Sequence, residues 1–359
     1  MRVNWRVSLV LGSVALVTLV LVGCGRGGGA QGGGGEQDNY TIQLSHVVAT
    51  ETPKGLAAEK FKELLEQKSE GRVTVEIFPN SQLFGDEDEL QAIQSGAVQM
   101  IAPTTSKFTT IATNMQVLDL PFIFDNYDDF AEITARDTPV GGILYENEQL
   151  ASNNIQVLGL WPDGFKQLAS NTPIRAPENL QGLNIRVQPA PALRSMFETW
   201  GAQPTTIAFG ELYTALEQGV VSGHENPYSV IFGSKANQVQ PYITESSHGT
   251  NVSVAAIGSD YFNSLPSDLQ QAVTESADEA AAYGRQIALE ENSQGKEDIL
   301  AAGTTEIIEL TPEQRQAFRD VVVPTVWDQY AEEIGGDVIE YVKDQQDPGG
   351  NVIEYTTAG

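Results

Sequence analysis

The stretch from Gly182 to Tyr228 opens with GLNIRV, continues through GAQPTTIAFGELYTALEQGVVSG and ends with HENPY. Residues 184–188 predict a strand, so Arg186 points away from the core if Ile185 and Val187 face it. A guanidinium pairs with both oxygens of a carboxylate, which makes Arg186 a candidate carboxylate ligand. The alternative is a structural arginine that pairs with an Asp or Glu side chain of the chain itself.

The residues before this stretch alternate between strand and helix patterns, with short connections. This alternation predicts parallel strands and an α/β fold. The predicted elements are a strand at Tyr40–Ser45, a helix from Pro53 to Gly71, a strand at Val73–Ile77, a short helix within residues 86–96, and strands at Gln99–Ala102 and Ile155–Trp161.

The residues after this stretch predict a return strand and long helices. NVSVAAIGS, from Asn251, is rich in strand-forming residues, and a helix runs from Pro266 toward Leu300. At 1.5 Å per residue this helix would be about 45 Å long, enough to cross two lobes. Thr311 and Gln314 predict a capping box at the start of a helix that ends at Gly335.

The charge of the chain excludes several classes of partner. Lys and Arg number 20 against 48 Asp and Glu, for a net charge of −28. Nucleic acids require a basic face, so the sequence predicts no nucleic-acid partner. Anionic lipid surfaces are disfavoured for the same reason. An acidic protein that binds an anion must concentrate its positive charge locally.

The amino terminus predicts export. Residues 1–23 have a basic start and an apolar run from Val7 to Val22, which is shorter than the ~20 residues of a spanning helix. We interpret them as a signal peptide. The run ends at Cys24, the only cysteine, so no intrachain disulfide can form. Residues 24–39 are rich in glycine and predict a flexible tether.

Catalytic and metal-binding motifs are absent from the sequence. The three histidines have no metal-ligand spacing, and no GxSxG, phosphate-loop or dinucleotide fingerprint occurs. We therefore expect no enzymatic activity, no metal and no cofactor. The acidic run Asp86–Glu89 lacks the oxygen spacing of a calcium loop, and we interpret it as a solvated helix start.

Several segments resemble one family of transport proteins. PIRAPENLQGLNIRV, GAQP, FGELYTAL and ENP occur in family order within residues 164–248, and SQLFGDEDELQAIQSGAVQM and LDLPFIFDNYDDF precede them. Together they resemble the solute-binding proteins of tripartite ATP-independent periplasmic (TRAP) transporters, of the dicarboxylate- and sialic acid-binding type, over residues 40–335. The sequence before Cys24 similarly resembles a lipobox, which implies lipidation of that residue and anchoring to a membrane.

The resemblance implies a set of ligand-binding residues. In the family the matching arginine and the asparagine of ENP hold the ligand carboxylate, which assigns those roles to Arg186 and Asn226. Lys166 stands where sialic acid-binding members have a second arginine. His224, where the family usually has glutamine, is expected to alter only packing, and His248 to lie behind the ligand site or at a hinge. Further candidates for lining the site are Phe209, Glu211 (also a candidate helix cap), Tyr228, Trp161 and Thr104.

The resemblance also implies an architecture and a role. It predicts a two-lobed fold of the periplasmic-binding-protein type (type II-like), with a cleft between the lobes and a long helix spanning both. Lobe I would comprise residues 40–163 and 252–291, and lobe II residues 164–251 and 292–350. The implied function is an extracytoplasmic receptor that passes an organic acid to TRAP permease subunits. A ligand-sensing lipoprotein or a periplasmic enzyme on the same fold remain alternatives.

Overall fold

The computed structural model describes residues 38–346 and 352–355. The predicted signal peptide, Cys24 and the tether up to residue 37 lie outside the described residues. The strands are β1 Tyr40–Ser45, β2 Val73–Phe78, β3 Met100–Ile101, β4 Ile155–Phe165, β5 Gln167–Ser170, β6 Asn184–Val187, β7 Gln203–Thr206, β8 Gly223–Asn226, β9 Tyr242–Glu245, β10 Thr250–Gly258 and β11 Glu306–Glu309.

Helices separate most of these strands. They are α1 Pro53–Lys68, α2 Glu89–Gln94, α3 Thr105–Phe108, α4 Tyr127–Ile133, α5 Pro139–Tyr145, α6 Glu148–Ser152, α7 Pro191–Thr199, α8 Leu212–Glu217, α9 Tyr228–Gly233, α10 Ser259–Ser264, α11 Ser267–Ala302, α12 Pro312–Ile334 and α13 Gly336–Gln345. Short 3-10 helices cover Thr113–Asp119, Pro177–Leu180, Phe209–Glu211 and Ala236–Gln238.

Two sheets organise the described chain into two α/β lobes. The first has the strand order β2-β1-β3-β10-β4, and the second has the order β11-β9-β5-β8-β6-β7. Parallel pairing of β1 with β2 and β3 confirms the α/β prediction. The return strand β10 enters the first sheet antiparallel to β3 and β4.

The chain crosses between the sheets three times: where β4 gives way to β5, where β9 gives way to β10, and along α11 between β10 and β11. At the first crossing Gly164 has φ +140°, and an added Cβ would lie 2.5 Å from the Asn292 side chain. Asn292, on α11, donates to the Asp163 carbonyl at 2.8 Å and accepts from the Ser229 amide at 3.1 Å. A single α11 side chain therefore ties the crossing to α9.

The 36-residue helix α11 confirms the prediction of a long helix. At 1.5 Å per residue it extends about 54 Å. Gly284 lies 3.5 Å, measured from an ideal Cβ, from Ala57 of α1 beside the first sheet. Gly295, three turns later, lies against the backbone of Ser229 in α9 beside the second sheet. The helix ends at Gly303, whose left-handed φ of +66° favours glycine.

Some predicted elements need correction. The capping box of Thr311 and Gln314 is present at the start of α12. Residues 209–217 form a 3-10 turn followed by α8, and Glu211, the candidate helix cap, makes no side-chain capping bond. The residues between β3 and β4 contain four short helices that the sequence pattern did not predict. Phe108 of α3 and Phe130 of α4 pack into the core, as does Phe124 from the connection between them.

Candidate ligand-binding site

The carboxyl ends of parallel strands from the two sheets face each other. Thr104, just after β3, donates to Gln188 Oε1, just after β6, at 2.5 Å. Asp86, in the connection after β2, accepts from the backbone amide of Phe209, after β7, at 3.1 Å. In open α/β sheets ligands bind outside the carboxyl ends of strands. The two edges therefore enclose a candidate ligand cleft.

Arg186 lies on β6 in this cleft and is only 1% exposed. Its Nε donates to the Ile207 carbonyl at 2.8 Å. Within the described residues no carboxylate forms an ion pair with the guanidinium, and its terminal nitrogens make no hydrogen bond. Burial lowers the pKa of Arg186, against the opposing charges of Asp86 and Glu225. The pairing with a protein carboxylate that would define a structural arginine is thus not found in the described chain.

The carboxylate of Asp86, on the opposite edge of the cleft, already has a partner within the protein. Asp86 pairs with the buried Lys107 ammonium at 2.7 Å. Burial acts to raise the pKa of Asp86, but Lys107, Arg186 and the Phe209 amide together outweigh it and the pKa is lowered. Asp86 therefore keeps its negative charge, which is paired with the Lys107 ammonium at 2.7 Å rather than with the guanidinium of Arg186.

Lys166 takes part in a buried ion-pair network. Its Nζ lies 2.9 Å from Glu225 Oε1, and His248 Nε2 lies 3.0 Å from Glu225 Oε2. Burial acts to raise the pKa of Glu225, but Lys166 and His248 together lower it to about 2. Because Glu225 stays ionised, it balances the Lys166 charge. His248 also bonds to Ser246 at 2.8 Å.

Asn226 is held by a neighbour on β8. Its Nδ2 lies 3.0 Å from His224 Nδ1. Burial lowers the pKa of His224 to about 3, and the Arg186 charge lowers it too. The ring is neutral at physiological pH, so its Nδ1 accepts from the amide and Asn226 retains one N–H and its carbonyl oxygen. The expectation that His224 affects only packing is wrong, because it orients the Asn226 amide.

Three other predicted residues lie on the strands or loops that form the cleft. Trp161 is fully buried on β4, and its Nε1 has no hydrogen-bond partner among the described residues. Thr104 is committed to Gln188 across the cleft. Phe209 is half-buried and packs against the core beside its backbone bond to Asp86. The structure thus links Phe209 to Arg186 through Asp86, whose carboxylate feels the Arg186 charge, and links Thr104 to Gln188, two residues after Arg186.

Two predicted residues are engaged elsewhere or exposed. The Tyr228 hydroxyl donates to Glu245 Oε1 at 2.9 Å, and its ring packs edge-on against Tyr355. Glu211 is exposed and is not part of the polar contacts around Arg186. Neither residue is placed beside the guanidinium by any contact of the described chain.

The interpretation of residues 86–89 as a solvated helix start is wrong for two of the four. The Asp86 side chain is only 7% exposed, and Glu89 is fully buried. Glu87 and Asp88 are exposed, as expected. Sequence reasoning also missed Lys107, which no pattern distinguished from a surface lysine.

No helix in the described parts of the chain combines the length and apolar character needed to cross a bilayer.

Residues 44–333 match the family "Bacterial extracellular solute-binding protein, family 7" (DctP). The chain belongs to this family. Its members include the solute-binding proteins of TRAP transporters, so the chain is an extracytoplasmic solute receptor of the TRAP type.

Similar proteins support the membership. The chain is 41% identical over 303 residues to the C4-dicarboxylate-binding periplasmic protein DctP of Rhodobacter capsulatus, covering 84% of this chain and 90% of that protein. A TRAP solute-binding protein of Shewanella oneidensis with bound succinate superposes with a TM-score of 0.82 at 37% identity, over 86% of this chain and all (100%) of that one. A Pseudomonas aeruginosa relative with bound L-malate gives 0.78 at 35% identity, over 81% of this chain and 100% of that one.

Proposed function

We propose that this receptor binds a carboxylate-bearing organic acid, a C4-dicarboxylate in the first instance, in the cleft between its two sheets. The observation that carries the proposal is Arg186, a buried guanidinium whose terminal nitrogens pair with nothing in the described chain. A buried cation without a partner is strongly unfavourable, and a ligand carboxylate would supply the missing charge. The succinate and malate bound by similar proteins are the reason for choosing C4 acids.

Asn226 would complete the anchor for this carboxylate. It retains one N–H that can donate, and His224 fixes the direction of the amide. Lys166 would contribute a single hydrogen bond rather than a fork, since Glu225 occupies one of its donors and balances its charge. Thr104, Trp161 and Phe209 would line the cleft, whereas Glu211 and Tyr228 would act farther from the ligand.

The lobe boundaries form part of the proposal. Lobe I would comprise residues 40–163 and 252–291, and lobe II residues 164–251 and 292–350. The distribution of strands supports this division, because the first sheet takes β1–β4 and β10 whereas the second takes the others. Closure would bend the crossings between the sheets. Small-angle scattering with and without ligand would measure it.

The remaining parts of the role concern delivery. A lipid on Cys24 would hold the receptor at a membrane, with the glycine-rich residues as a tether. The loaded form would pass its cargo to TRAP permease subunits and would not transform it chemically. Recovery of the bound acid unchanged after prolonged incubation, measured by mass spectrometry, is the expected result for a receptor.

The experiment that tests the proposal is a thermal-shift screen of the purified protein against organic acids. A ligand at 100 times its dissociation constant should stabilise the protein by about 2.7 kcal/mol. In Arg186→Ala the ligand carboxylate loses its partner, which should cost about 2–5 kcal/mol of binding free energy. A folded protein that no carboxylate stabilises, or an Arg186→Ala variant that binds as well as the wild type, would refute the proposal.

A further inference from the structure

Residues 352–355, beyond the last helix, lie against the crossings between the two sheets. Val352 and Glu354 are exposed, whereas Tyr355 is only 7% exposed. The Ile353 amide donates to the Asp125 carbonyl at 2.7 Å. Specific contacts therefore hold this short segment, which we call the strap.

Tyr355 anchors the strap at the first crossing. Its hydroxyl oxygen accepts from the backbone amide of Phe165 at 3.2 Å. Phe165 is the last residue of β4, where the chain leaves the first sheet for β5. The Tyr355 ring also packs edge-on against Tyr228 of α9, with the ring centroids 5.5 Å apart, a favourable geometry for aromatic pairs. Burial raises the pKa of Tyr355, so the hydroxyl group keeps its proton.

Tyr228 extends this anchor to the other two crossings. Its hydroxyl donates to Glu245 Oε1 at 2.9 Å, and Glu245 is the last residue of β9, just before the second crossing. Lys296 lies on α11, which forms the third crossing, and its ammonium pairs with the same carboxylate oxygen at 2.8 Å. Tyr355 is thus connected, directly or through Tyr228, to all three crossings.

The strap also contacts the connection between β3 and β4, two strands of the first sheet. Asp125, which receives the Ile353 amide, lies in this connection just before α4. Tyr127 of α4 packs edge-on against Phe165 at 5.3 Å, within electrostatic reach of Tyr355. One end of the strap is therefore bound beside the first sheet, and Tyr355 at its other end contacts α9, which follows β8 of the second sheet.

These contacts fit one relative arrangement of the sheets. The edges of the cleft face each other in this structure, since Thr104 bonds to Gln188 across it at 2.5 Å. Hinge motions are absorbed by a few residues at the connections between lobes. A bend at the crossings would move Phe165 and α9 relative to Asp125, and hydrogen bonds weaken steeply as their geometry is distorted. The strap cannot then keep both sets of contacts.

We propose that the strap stabilises the closed arrangement of the two sheets, with Tyr355 as the residue that responds to the bend at the crossings. Tyr355 is docked when the cleft is closed and loses its contacts when the cleft opens. The strap thereby shifts the equilibrium between the open and closed forms, and with it the affinity for any ligand that the closed form holds. The inference goes beyond the proposed function, because it concerns this equilibrium and not the chemistry of the ligand.

The test compares the wild type with Tyr355→Ala, Tyr355→Phe and the control Val352→Ala, which changes an exposed side chain of the same segment. Isothermal titration calorimetry would measure the affinity for succinate, and stopped-flow fluorescence the rate of its dissociation. Tyr355→Ala should weaken binding by about five- to fiftyfold, a range typical of coupling between sites. Most of this change should appear as faster dissociation, because the strap acts on the closed form.

The conservative variant separates the ring from the hydroxyl group. Tyr355→Phe keeps the packing on Tyr228 and removes the acceptor of the Phe165 amide, so it should weaken succinate binding by only about two- to fivefold. Val352→Ala should bind succinate as the wild type does. Tighter binding by Tyr355→Ala would overturn the inference.

Urea unfolding of the ligand-free protein distinguishes this role from general support of the fold. A strap that is docked equally in the open and closed forms would give Tyr355→Ala a lower urea midpoint but an unchanged affinity for succinate. That combination would refute the inference. Affinity is the deciding quantity, measured under conditions in which every variant is folded.

A ligand-free measurement tests the strap even if the proposed function fails. The Phe209 amide donates to Asp86 across the cleft at 3.1 Å, so it is protected from hydrogen exchange only while the edges face each other. It should exchange at least about threefold faster in Tyr355→Ala than in the wild type. If the wild type binds none of succinate, malate and fumarate, the proposed function is refuted, and equal exchange rates would then refute the strap, whereas faster exchange in Tyr355→Ala would support it.

Discussion

Replacing Glu225 with glutamine tests the buried network behind the candidate site. Glu225 holds Lys166 at 2.9 Å and His248 at 3.0 Å, and all three are at most 1% exposed. Glutamine keeps the shape but removes the charge, so Lys166 is left as a buried cation with a neutral neighbour. Breaking a buried ion pair on one side typically costs about 3–5 kcal/mol.

The pKa of Glu225 gives an independent value for this cost. A fall from 4.5 to about 2 corresponds to roughly 3 kcal/mol of folding stability at neutral pH. Because the folded-state pKa is lowered, this stability is fully present above pH 4.5 and is lost as the pH falls toward 2. The penalty of Glu225→Gln should therefore be largest at neutral pH and should shrink below pH 4.5.

Urea unfolding followed by circular dichroism at pH 7 and at pH 4 would measure both effects. Glu217→Gln is the matched control, because Glu217 is an exposed glutamate on the neighbouring α8. The control should stay within about 0.5 kcal/mol of the wild type. The reasoning would fail if Glu225→Gln cost less than about 1 kcal/mol at pH 7, or if its penalty did not change with pH.

Two further substitutions test the helix packing and the acidic cluster. Gly295→Ala should destabilise the protein by about 1–3 kcal/mol, because the new Cβ would lie 2.8 Å from the Ser229 backbone nitrogen. Gly284→Ala is the control, since its Cβ would lie 3.5 Å from its nearest neighbour. It should leave the free energy of unfolding unchanged or raise it in the same urea assay. Burial raises the pKa of Glu89 from 4.5 to about 8, so the folded protein loses stability as the pH rises between those values. Glutamine does not titrate, so the stability of Glu89→Gln relative to the wild type should increase from pH 5 to pH 8.5. Equal losses of unfolding free energy for the two glycine variants would contradict the first expectation. A stability difference between Glu89→Gln and the wild type that does not change with pH would contradict the second.

The sequence predicted those helices and strands whose start, end or alternation is set by residues close to one another in the chain. The alternation of residues 40–45, proline and glycine at the ends of α1, and the capping box of α12 depend on neighbours within a few residues. The strand β8 has the sequence GHEN, in which no residue favours a strand, and it was not predicted. It is fully buried between β5 and β6, so packing in the sheet outweighs its propensity.

The polar network of the cleft depends on contacts between distant residues. Glu225 pairs with Lys166, 59 residues away, and nothing near either residue indicates the partner. Acidic residues at a helix start ordinarily face solvent. The burial of Glu89 could therefore not be predicted from its neighbours in sequence, because it depends on packing against distant parts of the first sheet. The resemblance to TRAP receptors could supply Arg186 and Asn226, because those residues lie in a recognisable motif.

The placement of Arg186 links binding to closure. Arg186 belongs to the second sheet, and hydrogen bonds such as Thr104 to Gln188 join the two edges of the cleft only when these face each other. Removing an unpaired cation from water costs several kcal/mol. No described residue forms an ion pair with Arg186, so a ligand carboxylate would offset that cost. A ligand stabilises a conformation only through its differential affinity for it. We therefore expect an anion to bind more tightly when the edges are closed, in a cleft that lies apart from the acidic surface of a chain with a net charge of −28.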